Sequence, residues 1–294
     1  IYNGLQGGGT VHMVNSAISG NTGCEQSCPG NSYPHGGGIY NTGSLTLVDS
    51  TVNDNTGIAN GNGAGGGIVN WGTGVATLTN STISNNTACK PVAGDNPCSG
   101  GGIEDAAPLT LVNSTVAGNL VCDPSGKASC TPYGGGIDNY GSQGTVSLTN
   151  TIVAKNFDAP GKPGPSPDCE NPVTDGKPDP ANPNNVVGNN LIGNNAGCDT
   201  SALTTHDQVG TPGAGIDPKL DPKGLHANGG PTLTIALETK SPAIGAGDPA
   251  TCRLAKLTGG SAGPNGFDQR GRPRHAQNRN ACDVGAYDSG GPRA

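Results

Sequence analysis

Aromatic residues are nearly missing from this chain of 294 residues: they make up 3%, with one Trp, two Phe and, beside them, a single Met. That scarcity excludes the large aromatic-lined core of an ordinary globular domain of this length. Charged residues are only 13%, with Lys and Arg the scarcer sign, so a charge-patterned helical surface is excluded as well. No run of about 20 apolar residues occurs, and the chain opens at Ile1; neither a transmembrane helix nor a signal peptide is in view, and no membrane insertion is expected. A basic excess is also lacking, since 15 Lys and Arg face 22 Asp and Glu for a formal charge of −7 and a pI near 5.0. That balance argues against nucleic acid or an anionic membrane as partner. The histidines, His12, His35, His206, His226 and His275, are scattered, with no pair at metal-ligand spacing, so no metal or cofactor is read from them.

Glycine is abundant, at 52 residues, and it is ordered in the sequence. Gly-Gly-Gly-Ile recurs at Gly36–Ile39, Gly65–Ile68, Gly100–Ile103 and Gly134–Ile137, with 29, 35 and 34 residues between the Ile positions (68−39, 103−68, 137−103). A disordered glycine-rich chain would show no such register. One supersecondary unit is therefore stacked repeatedly, as in a solenoid. Each copy continues into Leu-x-Leu and Ser-Thr-Val segments. Leu45/Leu47, Leu109/Leu111 and Val146/Leu148 alternate with Thr or Ser, the period of two of a half-buried strand. Three short strands per rung are predicted, at the Ile, at Leu-x-Leu and at Ser-Thr-Val, with an earlier copy at Val11–Asn21 after Ile1-Tyr2-Asn3.

The bends between strands fall on equivalent Asn and Asp residues. One corner carries Asn15, Asp49, Asn80, Asn113 and Asn150, and another Asn21, Asn55, Asn86, Asn119 and Asn156. A third column holds Asn3, Asn41, Asn70, Asp105 and Asn139. Asn and Asp tolerate left-handed backbone angles, and stacked at about 4.8 Å their amides would bond into ladders. The fold class is all-β, a parallel β-helix that is right-handed by the crossover rule. It forms one domain over 1–294: regular repeats over 1–157, a long Pro/Asp/Asn loop and one rung over 158–198, then C-terminal rungs and a cap over 199–294.

Sequence proximity pairs the ten cysteines as Cys24–Cys28, Cys89–Cys98, Cys122–Cys130, Cys169–Cys198 and Cys252–Cys282, the first three stapling loops at the same place in successive repeats. The Cys-x3-Cys spacing also resembles a zinc site, but no partnering His or second close Cys pair lies in the same repeat. Disulfides on this scale imply an oxidising compartment.

Beyond the repeats come Asp217–Pro222, Asn228-Gly-Gly, Ser241-Pro-Ala-Ile, Asp268-Gln-Arg-Gly-Arg272 and Asp283-Val-Gly-Ala-Tyr-Asp288. This ordered series resembles the C-terminal signature of bacterial choice-of-anchor surface proteins built on β-helix repeats. The resemblance covers residues 217–288 and implies export and display at a bacterial cell surface, with a sorting segment following. It carries over no catalytic residue.

Carboxylates bear examination because some parallel β-helices cleave polysaccharides. Glu104 and Asp138 occupy equivalent positions in adjacent rungs, at about the separation of a retaining glycosidase pair, with Asp105 beside them. Two solvated carboxylates, or a cation site bridging the rungs, are the plainer reading, since the chain has only four Glu and no basic cluster accompanies the pair. Trp71 and Tyr140, on one face, could stack on the sugar rings of a surface glycan. Thr46, Thr77 and Thr110, and likewise Thr51, Thr82 and Thr115, form columns expected on a wet sheet face. Asp268, Arg270 and Arg272 are read as an ion-pair cluster over the last rung. Asn80, Asn85 and Asn113 head glycosylation triplets, two of them in the corner ladder where an amide could not take a sugar. The function expected is a secreted or cell-surface structural or adhesive solenoid without catalytic activity. Self-association through its ends is expected too, the unpaired end being Ile1, Tyr2 and Asn3. A glycan-active enzyme or glycan-binding module is the alternative.

Overall fold

The computed structural model describes residues 1–4, 8–23, 36–57, 65–89, 96–122, 130–139, 144–158, 167–175, 188–253, 266–274 and 282–290. The chain is nearly all β. Parallel strands stack into a solenoid with three faces, and among the described residues the single α-helix is Pro249–Arg253.

The first face stacks Tyr2–Asn3, Ile39–Asn41, Ile68–Asn70, Ile103–Asp105 and Ile137–Asn139. The second stacks Thr10–Val14, Ser44–Val48, Val75–Thr79, Pro108–Val112 and Thr145–Thr149, and the third Ala17–Ser19, Thr51–Asn53, Thr82–Ser84, Thr115–Ala117, Ile152–Ala154, Leu191–Ile192 and Gln208–Val209. Every predicted strand position is occupied, in register: Leu109 sits between Ala76 and Val146, and Val116 between Ile83 and Val153. The core is a single aliphatic column in which Ile39, Ile68, Ile103 and Ile137 stack across from Leu47, Leu78, Leu111 and Leu148, all fully buried.

Gly-Gly-Gly marks the place where the chain closes a rung. A Cβ on Gly101 would strike the Gly135 carbonyl of the next rung, and one on Gly102 would sit 3.0 Å from Asn119 Cγ. No side chain larger than hydrogen fits between stacked backbones there.

The corners use two devices. Asn15, Asp49, Asn80, Asn113 and Asn150 have φ between 46° and 50°, the left-handed bend expected of them. At the other corner the bend falls one residue earlier, on Gly20, Asp54, Asn85, Gly118 and Lys155, so Asn21, Asn55, Asn86, Asn119 and Asn156 are not its left-handed residues. Instead they point inward and form the continuous ladder, each Nδ2 donating to the next Oδ1 at 2.9 Å from Asn21 as far as Asn156. Asp168 receives the last bond and also accepts from Asn194 N–H. The first corner differs from expectation. To one another its side chains bond only in pairs, Asn80 to Asp49 and Asn150 to Asn113, while the following residue carries a ladder the sequence reading passed over. Ser16, Ser50, Ser81 and Ser114 N–H groups each donate to the hydroxyl of Ser50, Ser81, Ser114 and Thr151 one rung on.

Asn113→Ala is expected to cost about 2 kcal/mol, one part for alanine in a left-handed backbone and one for the lost Asn150 bond. Thr110→Ala, on the half-exposed outer side of the second face, should stay within about 0.5 kcal/mol. Urea midpoints measure both; equal shifts would contradict the inside–outside assignment.

Two segments depart from the sequence reading. Cys169–Asp175, read as part of a long loop, is a strand that pairs with Ile137–Asn139 at its start and with Thr145–Thr149 at its end. Asn171, at φ 65°, turns the corner inside it, which its proline and loop-like composition concealed. The described residues of the C-terminal portion, predicted as rungs and a cap, lie mainly along the flank of the solenoid. After Gln208–Val209 the chain leaves the stack and runs back along the flank, forming an antiparallel pair, Leu220–His226 with Thr234–Leu237, on the outside of the third face. Thr51, Thr82 and Thr115, predicted to be wet, are at most 2% exposed because this strap covers them. Thr51 Oγ1 donates to Leu233 O, Thr82 Oγ1 to Gln269 Oε1, and Thr115 Oγ1 accepts from Ala286 N–H. Ile152 and Leu191 pack against Ala243 and Val284 of the strap as a second small core.

Of the predicted disulfides, Cys169–Cys198 and Cys252–Cys282 are formed, with Cα atoms 5.2 and 6.3 Å apart. Cys98 and Cys122 are disulfide-bonded, while the side chains of Cys89 and Cys130 and the whole of the Cys24–Cys28 pair lie outside the described residues. The loops that would carry these staples stack too: Thr87–Cys89 pairs with Leu120–Cys122, and Asn96–Ser99 with Cys130–Tyr133.

Candidate functional site

The first face carries one row of side chains that points away from the core: Tyr2, Tyr40, Val69, Glu104, Asp138 and Glu170, aligned by strand register. Tyr2 and Tyr40 stack at 5.2 Å between ring centroids. The row then becomes acidic. Glu104 and Asp138 are direct neighbours in the pairing, as the sequence repeat predicted, but they are not solvated: Glu104 is 4% and Asp138 2% exposed.

What buries them is the glycine turn and the stacked loop. A Cβ on Gly65 would come 3.1 Å from Glu104 Cβ, and one on Gly134 would come 2.8 Å from Asp138 Cβ, so the turns lie directly over both side chains. Ser99, in Asn96–Ser99, hydrogen-bonds both carboxyl groups, and Gly65 N–H reaches Glu104. Glu104 Oε2 has no hydrogen-bond partner.

Burial pushes Glu104 up to about 8, with repulsion from Asp138 adding to it and the Gly65 and Ser99 hydrogen bonds opposing. Asp138 rises to about 6, chiefly by burial; Ser99 and Asn171 pull it down while Glu170 pushes it up. Burial thus favours the neutral form more strongly at Glu104 than at Asp138, with the Ser99 hydroxyl between the two groups. Asp105 turns to the other side of its strand, into the third Asn column, where it is 0% exposed.

A second polar cluster lies where the strap meets the flank. Asp268 accepts from Arg270 Nε and Nη2 and from the Arg270, Arg272 and Asp288 amides, and Arg270 lies 3.7 Å over the Tyr287 ring. Of the ion-pair cluster predicted at Asp268, Arg270 and Arg272, the structure forms the Arg270–Asp268 pair, on the side of the solenoid and not over its last rung; Arg272 is exposed and joins only through its backbone. The centre of the cluster is a residue the sequence reading missed, Arg274, fully surrounded and donating to Phe267 O, Asp283 O, Asn80 Oδ1, Gly285 O and Ala286 O. The signal for it was the further arginine two residues beyond the Asp268-Gln-Arg-Gly-Arg272 segment. Burial also raises Asp49 beside this cluster to about 7, against the Asn80 amide and the Arg274 charge, which lower it.

The remaining predicted positions are accounted for. Ile1 N donates to Gly38 O, Tyr2 and Asn3 pair with Tyr40 and Asn41, and Ile1 and Tyr2 are 49% and 56% exposed. Trp71 lies at a half-exposed turn, and Tyr140 lies outside the described residues. Asn80 and Asn113 are buried, whereas Asn85 is exposed. Among the described residues no group of three or more His, Cys, Asp or Glu is arranged to hold a metal ion, and no helix is long and apolar enough to cross a membrane. Compared with protein families, with curated proteins and with solved structures, the chain finds no match.

Proposed function

We propose that this chain is a non-catalytic structural or adhesive solenoid of an extracellular or cell-surface setting. The observation that carries the reading is the burial of Glu104 and Asp138, 4% and 2% exposed, where a pair that cleaves a saccharide would have to meet it in the open. Among the described residues much of the rest of the polar inventory is consumed internally. Corner asparagines, the serine column and the strap arginines bond to neighbouring rungs and offer little to a ligand. Disulfides suit an oxidising compartment, and the resemblance of residues 217–288 to surface-displayed β-helix proteins points the same way.

One observation favours the glycan-active alternative: the two acids titrate apart, near 8 and near 6, as an acid and base pair would. The test is Glu104→Gln with Asp138→Asn. We expect the wild type to release no reducing ends or unsaturated products from a panel of acidic and neutral polysaccharides, and the double variant to keep whatever glycan or surface adhesion the wild type has. Cleavage by the wild type that the double variant loses would replace the structural reading with an enzyme.

A further inference from the structure

The column Asn3, Asn41, Asn70, Asp105 and Asn139 crosses five register-paired strands of the first face. In its first three links an amide donates to the side-chain oxygen of the next rung: Asn3 Nδ2 to Asn41 Oδ1 at 2.7 Å, Asn41 Nδ2 to Asn70 Oδ1 at 2.8 Å, and Asn70 Nδ2 to Asp105 Oδ1 at 2.8 Å. The fourth link starts from Asp105, and a carboxylate can only accept. Asp105 is 0% exposed, and its Oδ2, in the place where each Asn before it carries the donating nitrogen, has no hydrogen-bond partner. An ionised group so placed bears the full cost of burial with half its oxygens unsatisfied. A proton on Oδ2 removes both costs: the charge disappears, and an O–H donor stands where the column needs one, directed at the rung of Asn139.

We propose that Asp105 is held as a neutral carboxylic acid that serves as the donor in the amide ladder, making this rung a proton-operated joint that is closed when protonated and strained open when ionised.

The surroundings favour the neutral form. Burial pushes Asp105 up to about 8, opposed by the Asn70 amide and the Ala107 N–H and reinforced by Asp138. The facing groups are Asn70 from Ile68–Asn70, Asp138 and Asn139 from Ile137–Asn139, and beyond Asp138 the Glu170 carboxylate of Cys169–Asp175. Glu104, next in its own strand, is also raised and has its own unpartnered oxygen, so it adds no compensating charge. The ion pairs among the described residues, Lys155–Asp217, His226–Asp221 and Arg270–Asp268, all lie elsewhere. The folded rung therefore keeps a proton that the unfolded chain gives up from 3.8 upward. Its stabilisation is complete below that value and is lost as pH rises to about 8, by roughly tenfold in the folding constant per pH unit for this one proton.

Asp105→Asn tests this, because it installs the donor used by the other members of the column and removes the titration. Urea unfolding between pH 4 and pH 9 should show the variant losing about one factor of ten per pH unit less than wild type. The two should converge near pH 4, with the variant the more stable at pH 8. Infrared difference spectra of the wild type at pH 6 should contain the C=O stretch of a buried protonated carboxyl group, diminished in the variant. The proposal is overturned if the variant is unfolded or less stable than wild type at pH 8, if the pH slope is unchanged, or if the band is unaffected. It is equally overturned if calcium chloride raises the wild-type midpoint at pH 7 and not the variant's, since a cation would then be what fills the gap.

Discussion

Arg274→Met is expected to lower folding stability by about 3–5 kcal/mol, among the largest effects of any single substitution in this chain. The guanidinium joins four strap carbonyls, Phe267, Asp283, Gly285 and Ala286, to Asn80 Oδ1 at the solenoid corner. Burial pulls its proton affinity down, and the charges of Asp288, Asp268, Asp283 and Asp49 hold it up, so the cation stays in place within a ring of carboxylates. Methionine fills much of the volume and supplies none of the donors. It leaves buried carbonyls unsatisfied at about 1–3 kcal/mol each, offset only where the strap lifts to admit water. Lifting is itself informative, because Thr51, Thr82 and Thr115 would then lose their cover. Hydrogen exchange should show faster opening at the amides of Gln269 and Ala286, and urea unfolding should show a first step in which the strap departs from an intact solenoid. A variant that melts within about 1 kcal/mol of wild type with no such step would mean that the strap is held by its apolar contacts at Ile152 and Leu191 alone.

The contrast between Arg274 and the rungs shows what the sequence could convey. Aligned copies of the motif place Leu109 over Ala76 and Asn119 over Asn86 whatever the loops between them, so strands and register were legible from the alignment, while the details of the corners were not. Alternation along a strand distinguishes core from outside but does not say what covers the outside. Thr51, Thr82 and Thr115 therefore read as wet when a segment some 180 residues later lies on them. For the same reason Glu104 and Asp138 were correctly paired but wrongly solvated: the glycine turns that bury them lie beside them in space and carry no side chain to announce it. Cys169–Asp175 was hidden by having one strand serve two faces without a repeat of the motif. Within the ladders, the exchange of Asn for Asp at position 105 was visible as a letter, while its meaning needed the direction of every bond in the column.

Asn119→Ala should approach the Arg274 effect, at about 3–5 kcal/mol, by a purely neutral route. Asn119 is fully buried, and its side chain and N–H make five hydrogen bonds with the rungs on either side. Its Oδ1 accepts from Asn86 N–H at 3.0 Å and Asn86 Nδ2 at 2.9 Å; its Nδ2 donates to Ile83 O and Asn156 Oδ1; its N–H donates to Asn156 Oδ1. Alanine removes the side-chain partners of Asn86 N–H and Nδ2 and of Ile83 O and leaves Asn156 Oδ1 with one donor fewer, all in a space flanked by Gly102 and closed to water. Asn21, at the exposed start of the same ladder, has a side chain that bonds to Asn55 and to the nearby Ser19 O and is otherwise solvated, so Asn21→Ala should cost under about 1 kcal/mol. Asn119→Asp separates shape from chemistry. It keeps the acceptor and loses the donors at neutral pH, and should recover most of its stability in acid, where a protonated Asp can donate once more. Matched urea series at pH 4.5 and pH 8 on the three variants check the ordering. Equal losses for Asn21 and Asn119, or no acid recovery in Asn119→Asp, would show that the column is held by backbone pairing and that its amides are passengers.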